Sequence, residues 1–174
     1  MEKETLLDLV WVPSPEEIQQ EKEWILAEAE SIGLETLQEL AKKASEASKL
    51  SYSPQSHYPV GAAILRTSGQ SSDGQNIEIA TYSETGHAEE QSIKNAVSSG
   101  AVRDEGRTFL RAIAVSHKED TAPCGRCRQI IAEFSDNALV VVADINGKIR
   151  SITSSRILLP YAFTLSDLEN AQSK

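Results

Sequence analysis

Two short stretches hold the side chains of this sequence that can do chemistry together: Thr85-Gly86-His87-Ala88-Glu89-Glu90 and Ala122-Pro123-Cys124-Gly125-Arg126-Cys127-Arg128-Gln129. Cys124 and Cys127 stand three apart after Pro123, and Arg128 to Phe134 can continue as a helix, so both sulfurs should project from one face of its first turn. Unpaired N–H groups at a helix start favour negative charge, which should lower the thiol pKa and supply the thiolate that a metal requires. Two sulfurs and the imidazole of His87 suit Zn2+ and leave a fourth tetrahedral position open to water, the arrangement of a catalytic site and not of a closed structural one. His87 itself opens a helix expected from about Ala88 to Ser99 and ended by Gly100. Residues two apart lie about 200° round a helix, so Glu89 should point away from the His87 face, a poor ligand but a possible base. Glu90 competes with it, and periodicity does not choose because helix ends are irregular.

The pattern His-Ala-Glu followed by Pro-Cys-Gly-Arg-Cys-Arg-Gln resembles the zinc-dependent cytidine deaminases that act on free nucleosides, whose signature combines H-x-E with P-C-x-x-C. A bare CxxC is weak; joined to the upstream His-Ala-Glu it is specific. The resemblance implies His87, Cys124 and Cys127 as ligands of one Zn2+ per chain. It implies Glu89 as the proton shuttle in hydrolytic removal of the 4-amino group of cytidine or deoxycytidine, a reaction of pyrimidine salvage. It extends from about Leu37 to Leu168, which divides the chain into an N-terminal extension (1–34) with one amphipathic helix and a catalytic domain (35–174).

The same resemblance implies a pocket for the nucleoside. Ser56-His57-Tyr58-Pro59-Val60-Gly61-Ala62 is similar to the family's Ser-x-Phe-x-Val-Gly-Ala segment, which carries the base-lining aromatic over to Tyr58, with a hydroxyl that the usual Phe lacks. Asn76 and Glu78, on one face of a strand expected over Asn76 to Ala80, resemble its Asn-x-Glu ribose clamp; an amide donates and accepts while a carboxylate accepts, which suits neighbouring sugar hydroxyls. The backbone N–H of Ala88 and the carbonyl of Ala122 would hold the base edge. Leu159-Pro160-Tyr161-Ala162-Phe163 is similar to a segment that reaches the active site of a neighbouring subunit, so Phe163 would cover a base held next door. One motif copy in one short domain resembles the tetrameric branch, which makes a homotetramer the expectation and a homodimer the alternative.

The scaffold that must position these residues reads as follows. Ser14-Pro15-Glu16-Glu17 is a capping box with Pro at the first helical position, and Ile18, Ile25, Leu26, Ala29 and Ile32 follow at helical spacing. A second helix from about Glu35 to Leu50 presents Leu37, Leu40, Ala41, Ala44 and Ala47, small enough for close packing on a sheet. Strands are expected at Val60 to Leu65, Asn76 to Ala80, Leu110 to Ser116, Leu139 to Ala143 and Lys148 to Ile152, the last after an Asn-Gly hairpin turn. Thr67 to Gln75 reads as a turn, Arg103 to Arg107 as a charged loop, and His117 as a solvated loop histidine. Five strands and about five helices in alternation argue an α/β fold with a mixed sheet between helices, and the resemblance implies the three-layer αβα sandwich of the deaminases.

A formal net charge of -9 over 174 residues repels polyanions, and aromatic residues are only 5% of the chain, so neither charge nor stacking surface favours a nucleic-acid substrate. No apolar run approaches a membrane span, and Met1-Glu2-Lys3-Glu4 lacks the plan of a signal peptide, which points to the cytoplasm. Three other readings fit parts of the sequence. One is a deaminase of a modified cytosine nucleoside such as a nucleoside antibiotic. Another is a non-catalytic module whose zinc is completed by a fourth protein ligand. The third is a CxxC redox protein, which leaves His-Ala-Glu unexplained.

Overall fold

The computed structural model describes residues 13–172. In chain order the elements are α1 (Pro15–Ile32), α2 (Leu34–Ser48), β1 (Gly61–Arg66), β2 (Ser71–Gln75), a 3-10 turn (Tyr82–Glu84), α3 (Ala88–Ser98), α4 (Ala101–Glu105), β3 (Leu110–Ser116), α5 (Gly125–Glu133), β4 (Leu139–Ala143), β5 (Ile149–Ser154), α6 (Ser155–Leu158) and α7 (Leu165–Gln172). The strands form one sheet of order β2-β1-β3-β4-β5. Only β3 and β4, the pair joined through α5, run parallel; the other three pairs are antiparallel. The sheet is therefore mixed, as expected.

Alternation in the three central strands fixes the layers. Ala62 and Ile64 of β1, Ile113 and Val115 of β3 and Val140 of β4 face one side, where Ala88, Ile93 and Ala96 of α3 and Ile131 of α5 cover them. Ala63 and Leu65, Ala112 and Ala114, and Leu139, Val141 and Ala143 face the other, under Ala29 of α1 and Leu37, Leu40, Ala41 and Ala44 of α2. Side chains of a strand alternate between faces, so a strand apolar at every position must be covered on both, and the αβα sandwich follows. The small face of α2 lets its backbone come so close to β1 that a Cβ at Gly61 would collide with the backbone of Ala44 and Ser48.

Helix α1 carries the expected cap: Glu17 N donates to Ser14 Oγ (3.1 Å) and Ser14 N to Glu17 Oε2 (2.7 Å). Its stripe is only partly used. Ala29 is buried and Trp24, Ile25 and Ile32 pack against the same layer, but Ile18 and Leu26 are 45% and 64% exposed. The C-terminal half of α1 is also tied down by polar contacts, Arg111 donating to Glu28 Oε1 (2.6 Å) and to Ser31 Oγ (2.8 Å).

Three local expectations are corrected. The strand lies at Ser71–Gln75, inside the stretch read as a turn, whereas Asn76 to Ala80 is irregular, with Ile77 alone bridging Tyr52 and Gly86. The cause is an early turn: Gly69 adopts φ 84°, and pairing starts at once with Leu65 opposite Ser71, so a polar segment becomes the edge strand. Arg103 to Arg107, read as loop, begins inside α4, where Glu105 closes back on the turn, pairing with Arg66 and accepting from Thr67 Oγ1 and Ser68 N, both at 2.8 Å. His117 is buried, not solvated. Among the described residues no helix is long and apolar enough to cross a membrane.

Candidate active site

The antiparallel pairing of Gly61 with Ser116 brings the entry to β1 beside the exit from β3, and the N-termini of α3 and α5 converge on the same place. There a cavity of about 390 Å³ is lined by Tyr58, Asn76, Glu78, Ala88, Glu89 and Ala122, with His87 and Cys124 at its metal-binding end.

His87 and Cys124 are the caps of α3 and α5; both have extended backbones, φ −83°, ψ 150° and φ −66°, ψ 165°. Cys127 stands in the first turn of α5, fully buried, while Cys124 is exposed. The two sulfurs are 3.5 Å apart, and His87 Nδ1 lies 3.5 Å from Cys124 Sγ and 3.3 Å from Cys127 Sγ. With Zn–S near 2.3 Å and Zn–N near 2.0 Å, ligands at tetrahedral angles stand roughly 3.6–3.8 Å apart, so this spacing fits zinc to within a few tenths of an ångström. Among the described residues it is the one group of three or more such donors, all within 4.8 Å of one another.

Electrostatics point the same way. Burial, then the carboxylate of Glu89 and the neighbouring Cys124, push the Cys127 thiol far above its ordinary range. The expectation of a thiol lowered by the helix start is thus reversed for Cys127, because loss of hydration outweighs the partial charge of a helix end. Two sulfurs and a carboxylate in so small a volume call for a cation, and the side chain of Arg126 is engaged with Glu90 at 2.8 Å. One divalent ion satisfies the set and takes the thiols as thiolates.

The two glutamates separate clearly. Glu89 is buried, lines the cavity and stands close enough to Cys127 for its carboxylate to push that thiol upward. Glu90 pairs with Lys94 (2.6 Å) and Arg126 (2.8 Å). Burial raises the pKa of Glu90, but Lys94 and Arg126 outweigh it and hold the carboxyl below its usual range.

At the far end of the cavity, Asn76 Oδ1 accepts from Ser51 Oγ (2.6 Å) and Val60 N (2.8 Å), and its Nδ2 donates to Tyr58 O (3.0 Å). Asn76 therefore pins the segment that presents Tyr58. Glu78 Oε2 accepts from Gln55 N (2.8 Å) and Ser56 N (3.1 Å). Hydrogen bonds from the Ser56 side chain and from these two N–H groups hold its carboxyl below the usual range, which keeps it an acceptor. Although no strand forms there, the spacing of two still puts both residues at one cavity. Phe163 is 59% exposed and lies outside the lining of its own chain's cavity, with its carbonyl accepting from Gln129 Nε2 (2.6 Å).

Residues 34–143 match the family model described as the cytidine and deoxycytidylate deaminase zinc-binding region. The chain belongs to this family. Curated relatives include a cytidine deaminase of Sporosarcina psychrophila, 37% identical over 78% of this chain and 96% of that one, and a cytidine deaminase of Halalkalibacterium halodurans, 40% identical over 76% and 98%. The crystal structure of cytidine deaminase from Burkholderia pseudomallei superposes with a TM-score of 0.65 at 34% identity, covering 72% of this chain and 97% of that one.

Two contacts beside this cavity were not legible in the sequence. Arg128 donates to the carbonyls of Pro123 (2.6 Å) and Leu158 (3.0 Å), tying the cysteine loop to α6, and His117 hydrogen-bonds Tyr58 across the cavity. From the sequence Arg128 could steady the thiolates or stand exposed, whereas it grips two carbonyls; nothing local marked His117.

Proposed function

We propose that this chain is a zinc-dependent hydrolase converting cytidine or deoxycytidine and water to the uracil nucleoside and ammonia. The observation that carries this reading is the three-donor His-Cys-Cys group standing beside a buried carboxylate, Glu89, in a nucleoside-sized cavity. When bound by His87, Cys124 and Cys127, zinc supplies Lewis acidity that brings the pKa of a water towards neutrality. Glu89 takes the proton of the attacking water, delivers it to N3 so that C4 becomes electrophilic, and then assists protonation of the departing amine. The N–H of Ala88 and the carbonyl of Ala122 hold the base edge, Tyr58 lines its face, and Glu78 with the second N–H of the Asn76 amide receives the sugar. Arg126 and Lys94 keep Glu90 out of the chemistry.

The protein works in the cytoplasm, whose reducing conditions suit two unpaired thiols beside a metal. Residues 1–34 are an extension to a catalytic domain of 35–174. Because Phe163 is exposed and away from its own cavity, it serves a neighbouring subunit in a homotetramer with composite sites.

Zinc-loaded protein should release uracil nucleoside from cytidine and deoxycytidine in a chromatographic assay, and much less product from free cytosine. Failure on both nucleosides, with turnover of a modified cytosine nucleoside instead, overturns the substrate assignment, and equal rates on cytosine and cytidine contradict the sugar contacts. Light scattering at assay concentration should give four chains per particle. Mixing a Phe163→Ala chain with a Glu89→Gln chain under subunit exchange should restore activity, because some sites then combine an intact Glu89 with an intact neighbouring Phe163; absence of rescue sinks the shared site.

A further inference from the structure

His117 leaves β3 at the cavity wall and reaches two segments far apart in the chain. Its Nε2 lies 2.8 Å from the carbonyl oxygen of Thr121, and its Nδ1 lies 3.1 Å from the hydroxyl of Tyr58. A carbonyl only accepts, so Nε2 carries the proton; Nδ1 of the neutral ring then accepts, and the Tyr58 hydroxyl donates to it. His117 is 4% exposed while its partners are more open, so both bonds are part-buried, and the two aromatic rings stand 5.9 Å apart at 31°.

Each end of this connection is held where it matters for the cavity. Tyr58 is fixed along its backbone by its N–H on Ser56 Oγ (3.0 Å) and by Asn76 on its carbonyl (3.0 Å), and His117 fixes the far end of its side chain. The loop from Lys118 to Pro123 has no regular structure, yet side chains grip two of its carbonyls, His117 at Thr121 and Arg128 at Pro123. Ala122, which lines the cavity, sits between the two anchored carbonyls.

We propose that His117 is a positioning residue for nucleoside binding, a strut that sets the distance between the Tyr58 ring and the Ala122 backbone. The proposal rests on reading this cavity as the nucleoside pocket. It assigns different tasks to the two ring nitrogens: Nε2–H fixes the loop that carries Ala122, and Nδ1 orients Tyr58. Because His117 is outside the zinc donors and Glu89, its loss should act on binding and leave the chemical step nearly alone.

The test uses the zinc-loaded full chain and steady-state kinetics on cytidine, with metal content and melting temperature measured on every variant. A glutamine amide reaches the position of Nε2 and an asparagine amide that of Nδ1, so His117→Gln keeps the Thr121 bond and His117→Asn keeps only a partner for Tyr58. Losing one part-buried hydrogen bond should raise KM about tenfold in His117→Asn, and about threefold in Tyr58→Phe, where the ring stays in place; His117→Gln should remain within about threefold of the wild type, and kcat within about threefold throughout. Nitrogen NMR of His117 at neutral pH should show Nε2 protonated and Nδ1 not. Equal KM values for His117→Asn and His117→Gln, a fall in kcat accompanying loss of zinc in both, or the opposite tautomer overturns the strut. A wild type that holds zinc but does not deaminate cytidine instead overturns the functional reading, and the strut's role in nucleoside binding with it.

Discussion

Glu89→Gln is expected to keep about one zinc per chain while losing two to four orders of magnitude in turnover, the usual scale for a positioned acid-base group. Glutamine retains the shape and one acceptor oxygen of glutamate but cannot take up and pass on a proton, so binding survives and the chemistry does not. Metal retention follows from the electrostatics. The Glu89 carboxylate is one of the causes that push the Cys127 thiol upward, so removing its charge makes the thiolate easier to form and the ion no harder to hold. Glu90→Gln is the control: it breaks the pairs with Lys94 and Arg126, and its effect should fall on stability more than on turnover. Single-turnover product formation, measured beside metal content, separates the two. If Glu90→Gln cripples the enzyme and Glu89→Gln does not, the assignment is off by one residue.

Helical periodicity had left these two glutamates in competition, and the structure shows where that argument was incomplete. The angle of 200° between His87 and Glu89 assumes that both lie on one helix, but His87 has an extended backbone and stands outside α3 as its cap. The projection of the imidazole is therefore independent of the helix phase, and a buried residue at the second helical position can share its cavity. Local sequence was reliable where burial on both faces left no choice: Leu110–Ser116 and Leu139–Ala143 form strands with the expected bounds, since no half-exposed element could carry so many consecutive apolar residues. It failed where a distant partner decides. Ser71–Gln75 is polar by composition, and becomes a strand because Gly69 turns the chain early against β1. His117 reads as one polar residue in a polar loop, and becomes buried only because β1 and β3 pair with Gly61 opposite Ser116, which brings Tyr58 over it. That register is a long-range fact with no trace in either segment alone.

Loss of a single ligand should be the most damaging change of all. Cys124→Ala and His87→Ala each leave two protein donors, too few for a stable zinc site, so metal content should fall from about one ion per chain to about a tenth or less at purification, and deamination should become undetectable. Cys127→Ala should do the same from a fully buried position. The fold should survive, because both apolar layers are complete without the ligands: one joins α3 and α5 to Ala62, Ile64, Ile113, Val115 and Val140, and the other joins α1 and α2 to the opposite face. Metal-free protein should thus unfold cooperatively at a lowered temperature, unlike a zinc finger, whose core is too small to fold without its ion. The two measurements together decide between a catalytic and a structural ion. Undiminished zinc in either the Cys124 or the His87 variant places the ion elsewhere and removes this site. Complete unfolding on metal loss makes zinc part of the scaffold, and favours a non-catalytic module. A folded, zinc-free and inactive chain is the outcome that follows from three donors set at the ends of two helices on a sheet whose cohesion is independent of them.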